Sequence, residues 1–429
     1  MRIFSATLAA CLSACATALP ADERQPADLA VAWNERILAI AETEDGFLTL
    51  KGVRTAAMMH IAMHDALASI HGHYAPYAYD KRARRADPVA AAAQAAFVVA
   101  VDEYPDQREV LAALRDRWLG DTDFRTAGIN VGEAAAREVL SEREADGWNT
   151  EAEYRLHPMA PGVYAEFPDH SGTPQGFVFG AGWAAALPFA LERHDQFRSP
   201  APPALESAEY ARAYNEVKRA GRFQSPVRTI DQAHLALWWK DFAENSHNRL
   251  VRDLVRKEQL GLEEATRVFA LLNIAIFDAY VSVFDNKFFY NHWRPYTAIR
   301  WTGDDGNPDT EPEDTWTNLH RHTYAFPSYP SAHGTACAAA MTVIADTFGN
   351  DYPFRMSTPK VDIAGPFSGK IEMHPPTRDF RSFDEAAMEC AMSRVYLGIH
   401  FRYDSVEGNN LGRRIGNYVR ENHLVRKSR

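Results

Sequence analysis

The sequence predicts an all-α protein whose helices are long enough to pack as bundles. Apolar residues recur mostly at three- and four-residue spacing, the period of one helix face, whereas strand-like alternation is scarce. Most of these stretches are bounded by Pro, Gly or Asp clusters, as helix ends should be. Helices are predicted over 52–70, 88–104, 106–119, 127–145, 206–220, 231–245, 263–286, 333–348, 384–397 and 405–421.

Two segments depart from the helical pattern. Residues 152–190 are rich in Pro, Gly and aromatic residues, and so long a loop inside a compact domain is usually functional. Their aromatic content favours an ordered wall or lid. Residues 303–314 form an acidic, turn-rich loop without the ligand spacing of an EF-hand, so we interpret them as a solvated surface loop rather than a calcium site.

Composition limits the kinds of partner that the chain can take. Hydrophobic residues make up 46% and charged residues 24%, as in an ordinary globular protein. The formal net charge of -11 argues against a protein that coats nucleic acid or an anionic membrane, because both need a basic face. An acidic protein can still hold an anion where basic residues are gathered locally, and the C-terminal third shows such a gathering.

The N-terminus predicts an export signal over 1–21. Arg2 precedes an apolar run, and Ala16 and Ala18 form an A-x-A cleavage pattern. In the alternative, the LSAC sequence is a lipoprotein box that leaves a lipidated Cys15. A membrane-spanning helix needs about 20 apolar residues, and no later segment is expected to reach that length. The mature chain, 22–429, is expected to be a single secreted or periplasmic domain with its active-site core at 263–421.

The first motif is KFFYNHWRP, from Lys287 to Pro295. Lys287 and Arg294 are seven residues apart, which is two helical turns, so both can lie on one helix face before Pro295 ends the helix. Two such cations suit an anion. The alternative is a solvated basic face, which the aromatic residues between the two cations make less favourable.

The second motif runs from Phe326 to Ala340, where a Pro-rich turn leads into an Ala-rich helix. Ser331, Ala332 and His333 lie at the junction. The free N–H groups and positive dipole end of a helix start bind anions readily. His333 is placed to pass a proton to or from a bound group. The alternative is a capped helix with an incidental histidine.

The third motif runs from Ser393 to Asp404. Arg394 and His400 are separated by Gly398, which is expected to end a helix, so that His400 leaves the helix end. Asp404 can then hydrogen-bond the far ring nitrogen of His400, fix its tautomer and raise its basicity, as metal ligands and nucleophiles require. The alternative is a core histidine beside a helix-capping aspartate.

Together these motifs resemble the vanadium-dependent haloperoxidases, which share their active site with the type-2 phosphatidic acid phosphatase superfamily. The family pattern is Lys, six residues, Arg-Pro; then Pro-Ser-Gly-His; then Ser-Arg, five residues, His, three residues, Asp. Every spacing is met over about 285–410, and the one departure is Ala332 in place of Gly, which keeps its backbone N–H. The matching positions are Lys287, Arg294, Pro295, Pro330, Ser331, Ala332, His333, Ser393, Arg394, His400 and Asp404.

The resemblance implies a helical-bundle fold of the vanadium haloperoxidase and acid phosphatase type. It implies that His400 ligates vanadate and that His333, with Asp404 behind His400, serves acid–base chemistry while hydrogen peroxide oxidises a halide. Phe326 stands where chloroperoxidases of the family tend to carry Phe and bromoperoxidases His. The residues implied to hold the oxyanion are Lys287, Arg294, Ser331, Ala332 through its N–H, and Arg394.

Two other functions stay open at this point. Phosphate can occupy the same site, and with a phosphate ester His400 becomes the nucleophile and His333 protonates the leaving group. The third interpretation is an exported anion-binding protein without turnover. Chain length and the aromatic 152–190 segment favour the peroxidase.

Three smaller predictions concern residues outside the motifs. Cys337 lies one turn after His333 and Cys390 one turn before Arg394, so we predict a disulfide behind the site if both helices meet there. His60, His64 and Asp65 have metal-ligand spacing but are interpreted as packing residues of a core helix. The last pair, His320 and His322, is placed near the entrance of the site.

Overall fold

The computed structural model describes residues 26–165, 177–365 and 368–427, which form thirteen α-helices and four short β-strands. The predicted export signal at 1–21, including Cys15, lies outside the described residues. The helices are α1 Asp28–Asp45, α2 Lys51–His71, α3 Pro88–Glu103, α4 Arg108–Asp116, α5 Arg125–Glu142, α6 Ala208–Ala220, α7 Ile230–Trp238, α8 Ala243–Lys257, α9 Leu262–Tyr290, α10 Pro295–Arg300, α11 Ala332–Phe348, α12 Phe383–Leu397 and α13 Arg402–Asn422. The strands are β1 Phe354–Ser357, β2 Lys360–Asp362, β3 Lys370–Glu372 and β4 Thr377–Phe380.

Helix α9 connects the two halves of the core. It packs on α2, which in turn packs on α3 and α5, and on its other side it contacts α11 and α13. By length and hydropathy α9 meets the requirements of a membrane span, contrary to the expectation that no such segment follows the N-terminus. However, 94% of its most apolar 18-residue window is buried inside the protein, as in the core helix of a globular domain.

Helices α11 and α13 approach each other closely because α13 presents a row of glycines to α11. Gly408, Gly412 and Gly416 recur every four residues, which places them on one helix face. A Cβ atom at Gly408 would lie 2.5 Å from the Ser331 carbonyl oxygen, and one at Gly412 2.2 Å from the Thr335 carbonyl oxygen. This close packing brings the start of α11 beside the start of α13.

One predicted helix is wrong in its extent. The segment 231–245 forms two helices, because α7 ends at Trp238 and α8 begins only at Ala243. The break directs the Trp239 carbonyl oxygen to Arg394, at 3.3 Å from its Nη1. No Pro or Gly stands at this break, so the local sequence did not indicate it. Helices α1, α8 and α10 were not predicted.

The four strands form two small antiparallel pairs, β1 with β4 and β2 with β3. They are exceptions within a helical fold and do not change the all-α class. The described parts of 152–190 are ordered against α9: Phe179 and Trp183 pack on Phe284, with ring centroids 6.0 and 4.6 Å away.

The acidic loop 303–314 is closed by its own hydrogen bonds, in which Asp305 accepts from Thr310 Oγ1 and from the Asn307 N–H. Hydrogen bonds within the loop thus stabilise the predicted turn.

Candidate functional site

Lys287 and Arg294 do not share one helix, in contrast to the prediction. Helix α9 ends at Tyr290, and Asn291 adopts a left-handed conformation with φ 48°. Arg294 is extended and precedes α10, whose first residue is Pro295. Pro295 thus begins a helix instead of ending one, because its fixed φ suits a first helical position. The turn at Asn291 folds both cations toward the same interior region.

Both cations are fully enclosed and donate to backbone carbonyls. Lys287 Nζ lies 3.0 Å from the Pro327 oxygen and 2.6 Å from the Ser328 oxygen. Arg294 Nε lies 2.9 Å from the Phe326 oxygen. Burial, reinforced by the charge of Arg294, holds the pKa of Lys287 well below its usual value, and burial lowers the pKa of Arg294 to about 10. Both side chains are therefore costly to keep charged without an anion nearby.

The start of α11 supplies the second group of residues. Ser331 caps the helix, and its Oγ accepts from the Gly334 N–H at 3.3 Å. The hydroxyl hydrogen of Ser331 stays available for a further acceptor. His333, in the first turn, is half-buried, and its Nε2 has no partner among the described residues. Burial and then the charge of Arg394 hold the pKa of His333 well below its usual value, so the ring is neutral.

His400 lies in the bend between α12 and α13, as predicted. Gly398 ends α12 with φ 83°, and His400 Nδ1 lies 3.0 Å from Asp404 Oδ2. Ser328 Oγ bridges the pair, 2.5 Å from Asp404 Oδ2 and 3.2 Å from His400 Nδ1. This network assigns the proton of His400 to Nδ1 and leaves a lone pair on Nε2, which faces Arg294 Nη1 at 3.3 Å.

Electrostatics reinforce the neutral form of His400. Burial lowers its pKa well below the usual value, and the charges of Arg294, Lys287 and Arg394 lower it further. Asp404 is also fully buried, which raises its pKa to about 7 even though it accepts hydrogen bonds from Ser328 and from the Phe401 N–H. His400 is thus an oriented imidazole whose Nε2 carries a lone pair, 3.3 Å from Arg294 Nη1.

Arg394 completes the cluster from α12. Its Nη1 donates to the Trp239 oxygen, and its side chain is hydrogen-bonded to Tyr324. Its buried Nε has no partner among the described residues. Burial lowers the pKa of Arg394. Lys287, Arg394 and His400 therefore converge on one interior volume, as the three motifs predicted.

The site opens into a cavity of about 440 Å³. Ala332, His333, Arg394 and His400 line its polar end, whereas Lys287, Arg294 and Ser331 lie just behind that surface. Lys240, Glu244, Asp362 and His322 are further polar residues of the lining. The aromatic lining residues are Phe47, Phe177, Phe179, Trp183, Phe242, Tyr280, Phe284, Tyr324 and Phe326.

The residues present fit a tetrahedral oxyanion. Lys287, Arg294 and Arg394 donate to backbone carbonyls or neutral side chains, and within the described ranges none of the three forms an ion pair with a carboxylate. Unpaired buried cations are unfavourable, so a bound anion stabilises this arrangement. The unpartnered Arg394 Nε is available as a donor to it.

The chain is similar to known proteins whose names include vanadium, which as vanadate is a tetrahedral oxyanion. Residues 267–426 match the family model of the VCPO second helical-bundle domain, which covers the three motifs. The chain is also similar to the vanadium chloroperoxidase of Curvularia inaequalis, at 27% identity over 268 residues. The chain is therefore similar to the vanadium-dependent haloperoxidases over residues 267–426. The match covers 49% of this chain and 43% of that relative's length.

Solved structures of the family share the fold over nearly the whole chain. A bacterial vanadium-dependent iodoperoxidase superposes with a TM-score of 0.75 at 21% identity, covering 94% of this chain and 98% of its own. A holo-type bacterial vanadium-dependent chloroperoxidase gives 0.65 at 16% identity, covering 93% and 92%. The haloperoxidase fold therefore includes the N-terminal half, where the sequence resemblance is weak.

Several residues of the site were not predicted from the sequence. Ser328 lies inside the second motif, but nothing local shows that its hydroxyl reaches Asp404. Tyr324 and Trp239 contact Arg394 from other segments, and Glu244 lines the cavity from α8. All of them lie far along the chain from the site residues beside them, so only the fold reveals their part.

The smaller predictions can also be placed. Cys337 and Cys390 form a disulfide, with Cα atoms 6.7 Å apart, which confirms that prediction. His60 stacks on Phe269 and Asp65 accepts from the backbone N–H groups of 77–79, as packing residues do. His322 lines the cavity, whereas His320 is buried beside it.

Proposed function

We propose that this protein oxidises halide with hydrogen peroxide at a vanadate held by His400. The observation that carries the proposal is the lone pair of His400 Nε2, which faces Arg294 in a group of buried cations. Among the described residues, none of these cations forms an ion pair with a carboxylate. Vanadate, when bound, supplies the Lewis-acid centre that activates peroxide. The similar proteins support halide oxidation, because the Curvularia relative is a chloroperoxidase and the bacterial structural neighbour is an iodoperoxidase.

Each side chain has a distinct part in this proposal. Asp404 and Ser328 fix the tautomer of His400, so that Nε2 can serve as ligand. Lys287, Arg294 and Arg394 neutralise the oxyanion and withdraw electron density from it. The Ala332 N–H and the Ser331 hydroxyl donate to its oxygens, at the positive end of α11.

His333 moves protons at the cavity surface. Its neutral Nε2 lacks a partner among the described residues and can accept a proton from incoming hydrogen peroxide, then return it to a leaving oxygen. The aromatic lining keeps bulk water away from the reacting groups, which strengthens every electrostatic contact inside.

The same residues support a second candidate, an acid phosphatase. His400, with the lone pair of Nε2 oriented by Asp404, can attack phosphorus, and His333 can protonate the departing alcohol. Vanadate resembles the five-coordinate transition state of phosphoryl transfer, so the oxyanion residues suit both reactions. The predominantly aromatic cavity favours the oxidation of a small anion over hydrolysis of a bulky, charged ester.

Paired assays on one purified sample test the two functions. Protein reconstituted with vanadate is assayed for peroxide-dependent oxidation of bromide and iodide, and apo protein for phosphatase activity. We expect halide oxidation only with vanadate and its loss in His400→Ala, while His374→Ala, at an exposed histidine, keeps full activity. Phosphatase activity without halide oxidation contradicts the first proposal and supports the second.

We also propose that the mature chain is exported, either free or lipidated at Cys15. The Cys337–Cys390 disulfide supports an oxidising compartment. Mass spectrometry of the protein purified from its native cells distinguishes cleavage near Ala18 from a lipidated Cys15. A retained N-terminus without modification contradicts export by either route.

A further inference from the structure

The cavity contains a second polar group that the proposed mechanism does not use. Glu244, near the start of α8, and Tyr280, on α9, both line the cavity. Tyr280 donates its hydroxyl to Glu244 Oε2 at 2.6 Å. Glu244 is 2% exposed and, within the described chain, no cation forms an ion pair with it. A negative charge on a carboxyl group that is buried and has no cation partner is unfavourable.

The charged and titratable groups around Glu244 do not offset its burial. Lys240 lines the same cavity, but its Nζ donates to the backbone oxygens of Asp362 and Ala364. Burial raises the pKa of Glu244 to about 7, and the carboxylates of Asp241 and Asp45 add repulsion. The remaining titratable residues of the lining are Tyr324, His322, His333, His400, Arg394 and Asp362.

Tyr280 connects this corner to the proposed oxyanion site. Burial, and then the neighbouring carboxyl, hold the pKa of Tyr280 well above its usual value, so its hydroxyl stays a donor. The charge of Arg394 is felt at Tyr280 and counters this shift. Glu244, Tyr280 and Arg394 all line this cavity, so an anion in it is exposed to both the carboxyl group and the guanidinium.

We propose that Glu244, positioned by Tyr280, selects substrates by charge: its neutral carboxyl admits an anion such as halide, and its ionised form repels it. This inference rests on the proposed function for the identity of the anion. Glu244 donates no atom to the reaction and is a specificity-determining residue. A glutamate is an unexpected residue in a cavity built for anions unless it is neutral in the working state.

Kinetics with bromide test the inference because bromide does not titrate. We expect the bromide KM of the wild type to rise relative to that of Glu244→Gln between pH 5.5 and 8.5, by roughly five- to tenfold for one charge at partial screening. Taking the ratio of the two proteins at each pH cancels the titration of His333, Lys287 and vanadate. A ratio that stays constant across this range overturns the inference.

Tyr280→Phe supplies a second, independent test, which is the pH at which the bromide KM begins to rise. The hydroxyl of Tyr280 stabilises the ionised form of Glu244, so its loss raises the pKa of that carboxyl further. The rise in bromide KM must then begin at higher pH than in the wild type. A shift to lower pH contradicts the proposal, and this variant remains informative if Glu244→Gln does not fold.

The matched control is Glu258→Gln, because Glu258 also accepts from a tyrosine hydroxyl, that of Tyr352, but on the surface at the end of α8. Its KM profile must follow the wild type. Calorimetric binding of inorganic phosphate to apo protein at both pH values supplies a readout without turnover. If halide oxidation fails but the phosphate affinity ratio still depends on pH, the proposed function falls and the role of Glu244 stands.

Discussion

The Ser331 backbone N–H donates to the Asp404 backbone oxygen at 2.9 Å, which joins the start of α11 to the first turn of α13. Ser331 caps α11 at the proposed oxyanion site, and Asp404 orients His400. One backbone hydrogen bond thus fixes the distance between the proposed anion cradle and the proposed ligand. The close approach of the two helices makes this bond possible.

Gly412→Ala tests the helix contact. The added Cβ would meet the Thr335 oxygen at 2.2 Å, so α11 and α13 must separate. We expect a loss of about 1–3 kcal/mol in the free energy of unfolding, as for overpacking against rigid backbone, measured by urea denaturation. Gly120→Ala is the control, because its nearest neighbour lies 3.9 Å from the new Cβ. Equal stabilities of the two variants would show that the helices adjust freely.

Ser328→Ala tests a residue that only the structure identified. The change removes a hydrogen bond to the Asp404 carboxylate, which is worth about 1.5–3 kcal/mol for a charged acceptor. We expect roughly tenfold weaker vanadate binding, measured by titration of the apo protein. Ser282→Ala removes a buried hydroxyl that has no partner among the described residues, and it should leave vanadate affinity unchanged. Similar effects of both changes would count against a specific role for Ser328.

Asp404→Asn tests the orientation of His400. An amide can present its NH₂ group to His400 Nδ1, which favours the opposite tautomer and places the proton on Nε2. The expected loss is about 10- to 100-fold in vanadate affinity or activity, the usual effect of a partner behind a ligating histidine. Circular dichroism must show an intact helical fold. Full vanadate affinity in this variant would mean that Asp404 does not set the tautomer.

The Cys337–Cys390 disulfide closes a separation of 53 residues between α11 and α12. Its removal in a Cys337→Ala, Cys390→Ala double variant should cost about 2–4 kcal/mol, seen as a lower midpoint in chemical denaturation. A reductant that opens the bond should destabilise the wild type and leave the double variant unchanged. A reductant effect of equal size on both proteins would contradict the bond in solution.

Much of the site could be predicted from the sequence, because its chemistry depends on spacing within short segments. Gly398 had to end a helix before His400, and four residues suffice for Asp404 to reach the ring. Ser331 before an Ala-rich run had to cap a helix. Lys287 and Arg294 do lie in one cluster, but not because they share a helix face. A left-handed Asn291 between them ends the expected helix.

The sequence by itself determined the helical class, most helix positions and the residues that we propose to hold an oxyanion, because these follow from local periodicity and from residue chemistry. Only the tertiary structure decided that Ser328 bridges His400 and Asp404, and that Trp239 and Tyr324 hold Arg394. It also decided that Glu244 lines the same cavity as Arg394. Such contacts join segments far apart in the chain. They depend on how helices pack, and no local pattern of residues encodes that arrangement.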